Sequence, residues 1–221
     1  MDKKKKIMRI TILFAAAALF AAVWFLHPFP PRTWDSDDFG IAPFVSAHDK
    51  DRDGIDDQTD ILKSARAYLE TKPTYKSRYY VGGYPDDGCG VCTDVVAFAL
   101  KGAGYDLRDA VAEDRREHPE NYGGGPDRDI DFRRVANLKV FFAAHALPLT
   151  TDTKEIEAWQ GGDIVIWEKH IGVVSDRRGK NGVPLVLHHA RPFPFQLRYE
   201  EDILENYGEI LGHYRIDADL F

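Results

Sequence analysis

The sequence predicts an α+β domain in which helices come first and an antiparallel sheet follows. Two observations carry this. Up to about residue 146 the apolar residues recur at helical spacing, and beyond it they fall into short runs of strand length. Two of those runs, Asp163–Trp167 and His170–Ser175, are separated by a tight turn, which reads as a hairpin.

The elements follow in order. Asp57–Lys72 reads as a helix with Ile61, Leu62, Ala65, Tyr68 and Leu69 on one face. Residues 73–91, rich in Gly, Pro and Tyr, read as a long loop. Cys92–Ala103 and Asp106–Glu117 read as helices, residues 118–130 as a loop, and Asp131–Ala146 as a strongly amphipathic helix around Phe132, Val135, Leu138, Phe141 and Phe142. Val183–His189 and Glu209–Arg215 join the first two strands, with DRRGKNG (176–182) as a hairpin loop.

The N-terminus speaks to location. Lys3, Lys4, Lys5, Lys6 and Arg9 precede an uncharged run from Ile10 to Leu26 that ends in Trp24-Phe25-Leu26. Segment 1–27 is expected to be an uncleaved membrane anchor, with a cleaved signal peptide as the alternative. Positive-inside logic keeps the lysines in the cytoplasm. The protein would then be single-pass in the cell membrane with its C-terminal domain outside, or secreted if the segment is removed. Residues 28–48, with four prolines, read as a linker.

Beyond residue 9 the chain holds 24 basic against 35 acidic residues, a balance of −11. An acidic domain without a basic stripe argues against nucleic-acid partners. The two cysteines, Cys89 and Cys92, are too few for a disulfide scaffold.

Chemistry concentrates in GCGVCTDVV (88–96). Helical periodicity begins at Cys92, so its sulfur is expected at a helix N-terminus, where unpaired N–H groups and the dipole favour thiolate. A thiolate there is a nucleophile. The competing readings are a buried cysteine serving as a small hydrophobe, a redox pair that lacks its βαβ setting, half of a zinc site that lacks a second pair, and a Cys89–Cys92 disulfide. A nucleophilic cysteine needs a base and an orienting group. His170 opens one predicted strand, and His188 and His189 close the next.

The order YVGG…CTDVV…GDIVIW…HIGVVSD…HHA, spanning roughly Tyr80 to Ala190, resembles the NlpC-type cell-wall peptidases, a papain-like family. With IDFRRVANL (130–138) and GHYR (212–215) added, it is more similar still to an uncharacterised bacterial family, domain of unknown function 1287, thought to share that fold. The resemblance implies a papain-like domain over 57–221 whose helices pack on the antiparallel sheet. It implies Cys92 as nucleophile, His170 as general base, and His188 or His189 as third member, with His188 favoured. It also implies Tyr80 near the cysteine as an oxyanion contact, and no cofactor for catalysis. Asp94 reads as a first-turn acid that steadies the helix start. Three features depart from the peptidases: Val91-Cys92-Thr93-Asp94 replaces Asp-Cys-Ser-Gly, 105–146 is a long helical insert, and Cys89 has no role in the family pattern.

Residues 49–60, DKDRDGIDDQTD, form a second motif. Asp49, Asp51, Asp53, Asp57 and Asp60 fall at positions one, three, five, nine and twelve of an EF-hand-type loop, with Gly54 at six and the Ile55 carbonyl at seven. A structural Ca²⁺ is the expectation, and a solvated acidic turn capping the next helix is the alternative. Arg133 and Arg134 read as solvated or salt-bridged helix arginines.

These readings combine into an extracytoplasmic, monomeric cysteine hydrolase that cleaves an amide bond, in peptidoglycan peptides by resemblance. Its alternatives are a non-catalytic module that binds cell-wall peptide and carries the Cys89–Cys92 disulfide, and a calcium-regulated adhesion protein.

Overall fold

The computed structural model describes residues 10–14, 32–190 and 199–217. The chain divides into two units, Met1–Thr33 and Trp34–Phe221. In the first, residues 10–14 are helical; the rest of the expected anchor lies outside the described residues. Among the described residues no helix is long and apolar enough to cross a membrane.

The second unit is a mixed α+β domain. Its helices are α1 (Asp57–Glu70), α2 (Cys92–Gly102), α3 (Leu107–Glu117) and α4 (Val135–His145). Its strands are β1 (Thr74–Tyr75), β2 (Cys89–Gly90), β3 (Leu147–Pro148), β4 (Ile164–Trp167), β5 (His170–Arg178), β6 (Pro184–Leu187), β7 (Glu200–Glu201) and β8 (Ile210–Arg215). Six strands form one sheet in the order β3-β8-β4-β5-β6-β7, antiparallel throughout, and β1 and β2 form a small parallel pair.

Alternation along the strands builds two cores. Ile164, Ile166, Ile171, Val173 and Leu187 face the helices, while Val165, Trp167, Val174 and Val186 pack with Trp159 and Leu204 on the other face. Helix α2 is central. Val95, Val96, Ala97, Ala99 and Leu100 are all fully buried, which fits a helix apolar on nearly every side between α1 and the sheet. Asp56 caps α1 by accepting from Thr59 N–H, and Asp106 caps α3 by accepting from Asp109 N–H.

Two local expectations are corrected, and a third is sharpened. The helix expected over Asp131–Ala146 starts at Val135; a 3₁₀ turn, Asp131–Arg133, comes before it. The Asp131 carboxylate draws in Arg115, Arg134 and the Asp127 N–H, which holds this stretch as a separate turn. The loop expected over 73–91 contains the β1–β2 pair, with Tyr75 in register with Gly90. The linker expected over 28–48 joins the domain from Trp34 on: Trp34 pairs with Arg178, and Ile41 is buried. Arg178 is itself fully buried and donates to Ser36 Oγ and to the carbonyls of Ile156, Gly182 and Trp159.

Candidate functional site

Cys92 is the first residue of α2, after the extended residue Val91. The helix start is held from below. The Asp94 Oδ2 accepts the Val91 N–H at 2.7 Å, so Asp94 does serve the N-terminus. It also takes a two-pronged ion pair from Arg133, Nε to Oδ1 at 2.6 Å and Nη2 to Oδ2 at 2.9 Å. Arg133 and Asp94 side chains are 1% and 0% exposed. Arg133 is therefore a buried arginine that fixes the cysteine turn, while Arg134 stays exposed and pairs with Asp131.

Cys92 is 8% exposed, and Cys89 and Cys92 are both free. Burial pushes the Cys92 thiol up to about 11, against the pull of the N–H groups of Ile171, Thr93 and Cys92 itself. The expectation of a resting thiolate is corrected accordingly, because desolvation outweighs the helix N-terminus. With Cys89→Ser removing the other thiol, alkylation of Cys92 by iodoacetamide should climb about tenfold per pH unit from about pH 7 to 9.5, where an exposed thiol would level near 8.5. Levelling below about pH 9 would mean a preformed thiolate.

His170 begins β5 and is 3% exposed. Its ring packs on Trp167 and Tyr207, with centroids 5.7 and 4.7 Å away. Its Nε2 lies 3.0 Å from His188 Nδ1, and His188 Nε2 lies 3.0 Å from Glu201 Oε2. The register of β6 with β7 pairs Val186 with Glu201, which puts that carboxylate on the same face as His188. The resulting order is His170, His188, Glu201. His189 falls on the opposite face, edge-on to Tyr75 at 5.1 Å and Tyr199 at 5.2 Å.

Burial, with His188 and His189 close by, pushes the His170 imidazole down to about 3. The fold thus favours its neutral form. That contribution to stability is complete above the ordinary histidine value of 6.5 and is lost as pH falls from there toward 3.

Of the N–H groups that pull on the Cys92 thiol, that of Ile171 on β5, one residue past His170, pulls most. Among the described residues no hydrogen bond joins the thiol to the imidazole; the recorded bond of His170 goes to His188. At rest both groups are neutral, and they do not form an ion pair.

Tyr80 does not offer its hydroxyl to the thiol. It donates to Asp87 Oδ1 at 2.8 Å, and its ring lies under the Arg133 guanidinium at 5.0 Å. Burial and Asp87 push its hydroxyl up to about 12. Tyr75 is the tyrosine whose hydroxyl feels Cys92: burial first, then Cys92, raises it. Glu201 and Tyr75 were not singled out by the sequence. One sits in a two-residue edge strand, and the other is one of several tyrosines in TYKSRYYVGGY (74–84), sorted only by the pairing of β1 with β2.

Gly162-Asp163 plays a structural part. Asp163 is fully buried and accepts from Gln58, the Gln160 N–H and Arg215, with His213 Nε2 at 3.0 Å. Gly162 has φ +96° with Gln58 O 2.5 Å from where a Cβ would stand, so only glycine fits that turn.

In the 49–60 loop, the Asp49, Asp51 and Asp53 carboxylates are exposed and converge within 4.8 Å of one another. Asp57 does not join them. Its Oδ1 accepts the Lys50 N–H at 2.7 Å and its Oδ2 accepts the Tyr105 hydroxyl. Asp60 is 7% exposed. Burial and the nearby Asp53 and Asp51 push its carboxyl up to about 6.

Fold and site together define an α+β domain in which a buried cysteine starts a helix packed on the sheet, and a His170–His188–Glu201 hydrogen-bonded chain runs along the strand ends. The family model described as Domain of unknown function (DUF1287) matches residues 62–216, and the chain belongs to that family. It is 39% identical over 153 residues, 65% of this chain and 72% of the other, to the uncharacterised protein YijF of Escherichia coli (strain K12). No solved structure matches the chain.

Proposed function

We propose that the domain is an extracytoplasmic cysteine hydrolase of papain-like, NlpC-type fold, anchored by segment 1–27, that cleaves an amide bond in peptidoglycan peptides. The observation that carries the reading is the helix-start thiol beside a strand whose first residue, His170, has one ring nitrogen engaged by His188. Glu201 accepts from His188 Nε2–H, so His188 Nδ1 accepts from His170 Nε2–H. His170 Nδ1 then keeps its lone pair for a proton. Substrate binding brings thiol and imidazole into hydrogen-bond contact, as resting sites often require. Sulfur attacks the carbonyl carbon, its proton passes to Nδ1, and the C–N bond breaks as the amine takes that proton. Water, deprotonated by the same nitrogen, then hydrolyses the thioester and releases the acid. Backbone N–H groups at the start of α2 are the oxyanion donors, and Tyr75 adds a hydroxyl near the sulfur. No cofactor takes part.

Incubating the protein with purified peptidoglycan and weighing the released fragments by mass spectrometry tests this reading. New amine and carboxylate ends are expected; an unchanged polymer, with other amide substrates equally untouched, would reject it. Glu201→Gln should lower kcat on the order of 10²-fold with KM little changed, because the amide still fills the site but no longer stabilises charge on the relay. Equal losses in kcat and stability would instead mark Glu201 as structural.

A second reading is favoured by one observation, the buried and protonated thiol: a non-catalytic module that binds cell-wall peptide on the same fold. Binding of peptidoglycan without release of fragments, unaltered in Cys92→Ala, is its signature.

A further inference from the structure

Asp60 lies inside α1, yet its carboxylate is buried and makes no hydrogen bond or ion pair with any described residue. Its Oδ2 is wholly enclosed and unpartnered. An ionised oxygen left this way is costly unless something cationic completes it. Its strongest electrostatic neighbours, Asp53 and Asp51, make matters worse, since they are acids. Three carboxylate oxygens of the preceding loop, from Asp49, Asp51 and Asp53, converge within 4.8 Å of one another; Asp60 stands outside that trio but within reach of the Asp53 and Asp51 charges. The hydrogen bonds to Asp49 from Asp53 N–H and Gly54 N–H, and Gly54 at φ 94°, hold the loop curled around that point.

We propose that Asp49, Asp51, Asp53 and Asp60, with the Ile55 carbonyl, form a binding site for one calcium ion that pins the 49–55 loop to the first turns of α1. The donor set is all oxygen, which selects a hard cation over zinc or copper. A loop of side chains without rigid octahedral order suits Ca²⁺ better than Mg²⁺. The short Asp60 stands where a longer, two-oxygen glutamate closes tighter sites, so the affinity belongs to the range of extracellular modules, about 10⁻⁴–10⁻³ M. Asp57 is outside the ligand set, because Lys50 N–H and Tyr105 already hold it. The ion would brace α1 against the turn after α2, where Lys50 lies over the Tyr105 ring at 5.1 Å.

The test uses the full chain, in detergent and stripped with chelator, with CaCl₂ and MgCl₂ as probes. Calorimetry should give one Ca²⁺ per chain, and about 5 mM Ca²⁺ should raise Tm by about 3–6 °C, with Mg²⁺ giving well under half of that. Asp60→Asn removes the buried charge without changing size. Its Tm without calcium should match or exceed the wild-type value while the calcium shift disappears, an outcome that misfolding does not produce. Asp57→Asn should lower Tm and keep the calcium shift. A wild-type Tm that ignores about 5 mM Ca²⁺, or an Asp60→Asn variant that responds as wild type does, overturns the site.

Discussion

Replacing Cys92 by alanine is expected to abolish amide hydrolysis while leaving the domain folded. Loss of the nucleophile of a triad lowers kcat by about 10⁶-fold in the best-measured hydrolase, which puts turnover at background. The stability effect should be small. The thiol sits in a packed environment, but alanine removes only one heavy atom and leaves Val95, Val96 and the rest of α2 in contact. Since burial holds the thiol protonated, the substitution also removes no charge. Circular dichroism and thermal melting of Cys92→Ala should overlay those of the wild type within a few degrees, with peptidoglycan fragments no longer released. Release that survives the substitution would exclude Cys92 as nucleophile, whatever the fate of His170. Parallel alanine variants at His170 and His189 then separate the two imidazole positions: only His170→Ala should match the cysteine variant.

Replacing Arg133 by methionine should be the most destabilising change near the site. The guanidinium satisfies both oxygens of a carboxylate that has no exposure at all, and its third nitrogen donates to the Arg78 carbonyl at 2.7 Å. Removing it strands a buried negative charge, at a cost of about 3–5 kcal/mol. For a domain of this size that is about 10 °C in Tm. Adding Asp94→Asn to the same chain should recover part of the loss, because the stranded charge goes and a carbonyl oxygen remains for Val91 N–H. Denaturant melts of the two single variants and the double variant form the cycle that measures this. A single-variant loss below about 1 kcal/mol would show that the pair contributes little to the fold.

The fold was largely legible from periodicity. The starts of α2 and α3 and the cores of β4, β5, β6 and β8 follow from apolar spacing and capping residues, signals that are local. Where an element or residue was misread or missed, a partner distant in sequence decides. Asp131 is committed to Arg115 and so breaks what reads as one helix. Tyr75 acquires meaning only through its parallel partner Gly90. Glu201 reaches His188 only because β7 pairs with β6. The cysteine and both strand-end histidines were visible in the sequence; the protonation state of the site was not. Helix position argued for thiolate, and the depth of burial, which no short motif encodes, reversed it.

The contacts of Arg178 and Asp163 also set where the cooperative folding unit begins. The family match starts at residue 62, inside α1. Yet Ser36 accepts from Arg178, and Gln58 donates to Asp163. A fragment cut at the homology boundary would strip partners from two enclosed ions and lose the cap of its opening helix. The thermodynamic domain therefore extends back to about Trp34, and residues outside the recognised signature belong to the minimum that can fold.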